Sequence, residues 1–483
     1  MSRRLVRQLL IGSIATGLLA GPASATSGSH RPTRPSIDPV PAATGNLTGS
    51  LPDGATWVID VPTNWNGTLL LFSHGLVPPG EPNPAVDAPD PVTAEHLLAQ
   101  GYALAGSSYA ATGWVPREAI ADQTAVLDVF TDTVGRPSRT VAWGASLGGM
   151  VSAALVEQHP ERIDGAMPMC GLVAGSVGEW DTNLDTLYAL TTLLAPDLGI
   201  DLVHLTDPFT DIERLGTRLA EAQQTPAGRA RIALAAALGN VPGRAGAGSA
   251  TPDAHDIDAR EAAQLENLRT VVFLGLALRA DVEHYVGGNP STNVGVDYGR
   301  LLRRSTSRDE VNDLYKAAAL ALQDDLAILD SAPRIAADPA ARTELGRFVT
   351  FDGALHRRPV LTLHTSDDPL VGAQAESAYR DTVVRAGNRK LLRQVFTDRA
   401  GHCLFTPAET IAALDTLLER IDTGRWPSTS ASRLNARALA LGAGLNVHFE
   451  DDSTTPVPTD PAFTHRRPGP FLRTVDAARS DER

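Results

Sequence analysis

Thr140-Val-Ala-Trp143 runs directly into Gly144-Ala145-Ser146-Leu147-Gly148, and Met150 to His159 continues at helical spacing. A short apolar strand, a serine between glycines and a helix start therefore follow one another without a break. The G-x-S-x-G pattern in a strand–turn–helix setting is a nucleophile elbow. Its serine sits on a sharp, strained turn, and bulky flanking residues would strike the adjacent backbone, hence the glycines. The turn lifts the hydroxyl above the C-terminal edge of a sheet. It also points the N–H of Leu147, at the helix N-terminus, to where an oxyanion would form. Ser146 is the candidate nucleophile and Leu147 a candidate oxyanion donor.

Working outward, Thr56 to Val61 alternates as a strand, and Thr68-Leu-Leu-Leu-Phe-Ser73 is a continuous apolar run, the mark of a strand buried on both faces. It ends at His74-Gly75. A helix over Thr93 to Gln100, a strand over Tyr102 to Ser107, a helix over Arg117 to Thr133 and a strand over Asp164 to Met169 complete a first α/β segment, 44–174. Strand and helix alternate, which predicts an α/β fold with a mostly parallel, doubly wound sheet. Over 175–347 the pattern changes: Leu184, Leu187, Leu190 and Leu194 are typical of a helical block with few strand signals. The α/β pattern returns over 348–426, with a strand at Val360 to Leu363, a helix from Gln374 to Ala386, a strand from Leu392 to Phe396 and a helix from Pro407 to Thr423. From 427 to 483 clear periodicity is lost, and the stretch reads as a tail that touches the body through Phe463, Pro468 and Phe471.

The chain has 483 residues, 43% hydrophobic and 20% charged, which is ordinary globular composition and long enough for a large core. Its 42 basic and 56 acidic residues leave a net charge of -14, which argues against a nucleic-acid partner. Arg3, Arg4 and Arg7, an apolar stretch from Leu9 to Ala20 and Ala23-Ser24-Ala25 describe a secretory signal peptide over 1–25, leaving Sec and twin-arginine routes both open. The apolar stretch is too short to span a bilayer, and no later segment is long and apolar enough. Residues 26–43, rich in Ser, Thr, Pro and Gly, read as a flexible lead-in. The expectation is a secreted, extracellular protein without a membrane span.

A serine needs a base. Most of the 12 histidines have ordinary readings, but His402, in Ala400-Gly-His-Cys403, lies on a loop between a strand and a helix, at the same sheet edge as Ser146. The acid that orients it should follow the preceding strand. Thr365-Ser-Asp-Asp-Pro369 offers Asp367 and Asp368, and Asp368, directly before Pro369-Leu-Val371, is favoured. Metal and nucleotide motifs are missing, so no metal or cofactor is expected. The acidic run Glu450-Asp-Asp452 reads as a solvated charge cluster.

Gly144 to Gly148, Asp368 and His402, in that chain order, resemble the α/β-hydrolase family in its serine esterase and lipase branch. The resemblance implies that the helical block is a cap inserted after the sixth strand. His74-Gly75 is similar to the family's His-Gly turn, which implies Leu76 as the second oxyanion donor beside Leu147. Tyr109, after the next strand, is a possible pocket residue, with ordinary packing the simpler reading. His402-Cys403 is also similar to the His-Cys pair of secreted feruloyl esterases and tannases, whose disulfide ties the histidine loop to the serine. Here Ala145, not cysteine, precedes the serine, and that match fails. Cys170, at the end of the strand after the nucleophile helix, lies on the same edge, so a Cys170–Cys403 bridge bracing His402 is expected in an oxidising compartment. The function implied is hydrolysis of a small-molecule or polymeric carboxylic ester through an acyl-enzyme. The alternative is a secreted serine peptidase or amidase on the same fold, and the triad alone does not separate the two.

Overall fold

The computed structural model describes residues 43–449 and 456–473. The expected signal peptide over 1–25, nearly all of the lead-in and the Glu450-Asp-Asp452 run lie outside the described residues.

The described residues begin with β1 (Gly45–Ser50), β2 (Thr56–Val61), β3 (Thr68–Ser73), α1 (Pro91–Ala99), β4 (Ala103–Ser107), α2 (Pro116–Thr133), β5 (Arg139–Ala145), α3 (Leu147–Gln158) and β6 (Gly165–Met169). Nine α-helices follow, from α4 (Ser176–Leu194) to α12 (Pro339–Gly346). The α/β pattern resumes with β7 (Val360–Asp367), α13 (Gln374–Arg385), β8 (Leu392–Ala400) and α14 (Pro407–Thr423). Last come α15 (Ala431–Ala440), the antiparallel pair β9 (Val447–Phe449) and β10 (Pro456–Pro458), and β11 (Phe463–Thr464).

One nine-stranded sheet has the order β1-β2-β4-β3-β5-β6-β7-β8-β11. From β4 to β8 all neighbours are parallel, while β1, β2 and β11 join antiparallel at the two edges. Alternate residues of the central strands feed two separate cores, as the pleat requires. Leu69, Leu71, Ala105 and Ala142 pack with α2, α3 and α13. Leu70, Phe72, Val141, Trp143 and Leu361 pack with α1, α14 and α15 on the other face. The all-apolar run of β3 is thus the result of helices covering both faces. The helical insertion has a third core of its own, built around Leu187, Leu190, Leu234 and Leu268.

Two regions differ from the sequence expectation. The stretch after 426, read as a tail without periodicity, contains α15, whose Leu434 and Ala438 are buried against α14. It then supplies β11, whose Phe463 and Thr464 pair with Thr397 and Phe396. Phe471 is buried in one sheet core and Leu472 in the core of the insertion. Arg473 ends on Asp181 of α4, at 3.0 Å, so the last described residues strap the insertion to the sheet. The second difference is β1, an edge strand of GNLTGS that carries no apolar signal. A Cβ on its Gly49 would enter the indole of Trp57, so the absence of a side chain lets that ring cover the edge.

Candidate active site

Ser146 lies between β5 and α3 with φ 58° and ψ -121°, a left-handed strained conformation for a residue other than glycine. Its N–H donates to the Met169 carbonyl at 3.0 Å, which fixes the turn against β6. A Cβ on Gly148 or on Gly144 would overlap the Ser73 carbonyl, so both glycines permit the close approach of β3. The turn brings Ser146 and His402 together across the sheet edge, with Oγ and Nε2 2.8 Å apart. Nδ1 of His402 is 2.7 Å from Oδ2 of Asp368. Asp368 is buried, and its other oxygen accepts the N–H groups of Leu370 and Val371 at 2.8 and 3.0 Å. Asp367 points elsewhere: Arg466 lies 3.6 Å and Arg244 3.8 Å from its carboxylate.

Leu147 is the first residue of α3, so its N–H has no carbonyl one turn earlier to bond. Gly75 packs against Ser146; a Cβ there would stand 3.4 Å from Ser146 Cβ, which places the neighbouring Leu76 beside the serine. Behind this turn, Tyr109 stacks on His74 with ring centroids 4.0 Å apart and donates its hydroxyl to the His74 carbonyl at 3.0 Å. Tyr109 is buried, so the structure places it as a support of the turn. Burial holds His74 below the ordinary histidine pKa, so its ring is neutral near pH 7.

The sequence reading missed a buried layer beneath Asp368. His364, on β7, has Nε2 2.9 Å from the Val371 carbonyl and 3.6 Å from Oδ2 of Asp368. Its Nδ1 is 3.3 Å from Glu376 on α13. Glu376 also accepts from Thr362 at 2.6 Å and from Gln394. Burial alone would lower the His364 pKa, but the Glu376 carboxylate, aided by Asp368 and the Val371 carbonyl, raises it above the ordinary value. Both ring nitrogens face acceptors, the arrangement of an imidazolium held between two carboxylates. Alternation along β7 was the available signal, since Thr362 and His364 are polar at positions facing a helix. Glu376→Gln is expected to lower kcat/KM about tenfold and to move the acidic limb of its pH profile upward, because Asp368 loses cationic support. A fall in melting temperature with an unmoved pH profile would reduce the pair to packing.

Glu179, in the first turn of α4, brings the insertion to the site. Its Oε1 is buried with no hydrogen-bond partner among the described residues. Burial raises its pKa to about 8; Asp368 adds to the rise and His364 opposes it. On α3, burial likewise raises Glu157 to about 8, although the N–H groups of Asp352 and Gly353 favour its charge. In the unfolded chain both ionise near pH 4.3. The folded state alone keeps these protons between that value and about pH 8, so their stabilising contribution is full below the lower value and disappears as pH rises through the upper one. Melting temperature is therefore expected to be higher at mildly acidic than at mildly alkaline pH. Glu157→Gln should flatten that slope, and an unchanged slope would refute the assignment.

Cys170 and Cys403 form a disulfide with Cα atoms 5.4 Å apart. The Sγ of Cys403 lies 3.4 Å from Nε2 of His402. The bridge therefore joins the end of β6 to the histidine loop.

No family model matches the chain. It is 31% identical over 434 residues to an o-phthalyl amidase from Xanthobacter agilis, spanning 83% of this chain and 92% of that protein. The chain belongs to the α/β-hydrolase family. Solved structures that align with this α/β-hydrolase include feruloyl esterase B from Aspergillus oryzae, 13% identical at a TM-score of 0.38 over 79% of this chain and 81% of that one. The acylaminoacyl peptidase of Pyrococcus horikoshii aligns at 9% identity and a TM-score of 0.36, over 86% of this chain and 43% of that one. Among the described residues of this α/β-hydrolase, no helix is long and apolar enough to cross a membrane.

Proposed function

We propose that this α/β-hydrolase is an exported serine enzyme that opens carboxylic amides and esters through an acyl-enzyme. The observation that carries the reading is the unbroken hydrogen-bonded line from Ser146 through His402 to Asp368. Ser146 Oγ attacks the carbonyl carbon while His402 Nε2 takes its proton. Asp368 holds the ring with Nδ1–H inward and stabilises the imidazolium. The N–H groups of Leu147 and Leu76 hold the oxyanion. Collapse breaks the bond to nitrogen or oxygen, and His402 returns the proton to the leaving amine or alcohol. Water then enters, loses a proton to His402 and releases the acid, restoring Ser146.

The sequence alone favoured esters. The 31% identity to an o-phthalyl amidase supports amides, with phthalyl amides the first substrates to try. An aminopeptidase reading is weaker, because it needs a free carboxylate for the peptide ammonium group. Asp181 is taken by Arg342 and Arg473, each at 3.0 Å, and burial keeps Glu179 protonated. The insertion acts in this reading as a cap, through the Glu179 end of α4. The basic start and Ala23-Ser24-Ala25 support export, and the disulfide suits an oxidising compartment.

The test is hydrolysis of phthalyl amides, p-nitrophenyl esters of graded length and aminoacyl anilides, with Ser146→Ala as control. Phthalyl amide cleavage, lost in the variant, is the expected result. Turnover of aminoacyl anilides alone would transfer the chain to the peptidases. Turnover surviving in Ser146→Ala would remove the acyl-enzyme.

A further inference from the structure

A cavity of about 490 Å³ opens beside the N-terminal half of β8, at the other end of that strand from the loop carrying His402. Six basic side chains line it: Arg380 from α13, Arg389 and Arg393 around the start of β8, and His465, Arg466 and Arg467 following β11. No carboxylate is among the lining residues. Such a concentration of positive charge stands out in a chain of net charge -14.

The available counter-charges do not neutralise it. Arg380 meets Asp381 at 3.2 Å, and Arg466 lies 3.6 Å from Asp367. Arg389 and Arg467 have no carboxylate within ion-pair distance among the described residues. Arg393 donates to the Leu392 carbonyl at 2.8 Å and lies over the Trp426 ring at 5.3 Å, neither of which is an anion. Burial lowers the Arg393 pKa, and the nearby Arg420 and Arg389 guanidinium groups lower it further. Like charges gathered in a concave site are relieved by an anion that several of them share.

Apart from Gln394, the rest of the wall is apolar: Val384, Leu392, Phe396 and Pro468. We propose that this cavity binds a compact organic polyanion, an aromatic or aliphatic body bearing two or more carboxylate, sulfate or phosphate groups. The planar forks of Arg389, Arg393 and Arg467 take anionic oxygens in pairs, and Phe396 and Leu392 receive the body. The volume falls in the range of small-molecule sites. None of the lining residues contacts Ser146, His402 or Asp368, and only Gln394 reaches the layer beneath Asp368, through Glu376, so this inference does not depend on the proposed reaction.

The experiment is calorimetric titration of the full chain with benzene-1,3,5-tricarboxylate, alongside inorganic sulfate at matched ionic strength. Saturable binding is expected, weakened about tenfold or more by Arg393→Gln or Arg467→Gln, in keeping with loss of a charge-assisted hydrogen bond. Arg308→Gln, which removes a positive charge outside the cavity, should leave it unchanged. Arg467 is exposed, so its variant keeps the test open even if Arg393→Gln unfolds. Absence of saturable binding would overturn the proposal, as would equal affinity in the cavity variants. Sulfate binding as tightly as the tricarboxylate would overturn the apolar part, leaving a site for bare charge.

Discussion

Asp368→Asn is expected to lower kcat by about 10⁴-fold, the usual consequence of turning a triad histidine to the wrong tautomer. Asp367→Asn, one residue away, should change it by no more than about twofold, within the scatter of a substitution outside the reacting line. The contrast is sharp because the two carboxylates have different partners. Asp368 is buried, receives two backbone N–H groups on one oxygen and faces His402 Nδ1 with the other. An asparagine there would present an N–H to the ring, force the proton onto Nε2 and leave Ser146 without a base. Asp367 answers Arg466 and Arg244 instead. Ser146→Ala should cost about 10⁶-fold, and adding Asp368→Asn to it should cost little more, because the groups act as a unit. Steady-state rates on whichever amide or ester is turned over fastest provide the measurement. Equal losses at 367 and 368 would remove the assignment of the acid.

The parts of this site that could be read in the sequence are those whose chemistry demands local spacing. The elbow is legible because Gly144 and Gly148 must both lie under the Ser73 carbonyl, a demand met within five adjacent positions. Asp368 is legible because it directly follows β7, which opens with Val360 to Leu363, and His402 because it stands on the short loop between a parallel strand and the helix from Pro407. The buried pair under Asp368 is not local: His364 and Glu376 meet only because α13 folds back over β7, and the polar alternation of Thr362 and His364 does not say which residue they meet. Tyr109 was ambiguous for the same reason. Its φ of 61° and its stack on His74 come from the packing of β4 against β3, which no spacing encodes.

The fold divides along the same line. Boundaries in the interior were readable, and the helix expected over Pro407 to Thr423 has those limits because Thr406 and Glu409 form a capping box and Gly424 ends it in a left-handed turn. The edges were not. In β1 only Leu47 and Gly49 lose part of their exposure among its central residues, so polar composition hides the strand. The strand β8 runs to Ala400, beyond the expected Phe396, because it stays paired with β7 through an irregular register as far as Asp367 and Ala400, while β11 arrives from about 65 residues later to pair with Thr397 on its other side. In α15 just two buried positions, Leu434 and Ala438, are too few to set a helical period.

Removing the disulfide by Cys170→Ala with Cys403→Ala is expected to destabilise the chain by about 4–5 kcal/mol, since the bridge closes a loop across a sequence separation of 233. The loss should not be uniform. Cys403 adjoins His402, while Cys170 is anchored by its N–H to the Leu363 carbonyl at 2.8 Å, next to the strand that leads to Asp368. The bridge therefore ties His402 to the same framework that carries Asp368. The sheet itself keeps its two apolar cores, in which Cys170 is one buried residue among many. Under graded reduction, activity should fall first and the melting transition later, with kcat affected more than KM, because His402 loses its position before the core loses its packing. Alkylation of the freed thiols gives the extent of reduction at each point. Full activity with both thiols alkylated would show that the histidine loop holds its geometry unaided, and that the bridge serves only the unfolded chain. Simultaneous loss of activity and of the melting transition would show that the histidine loop and the sheet unfold as one unit.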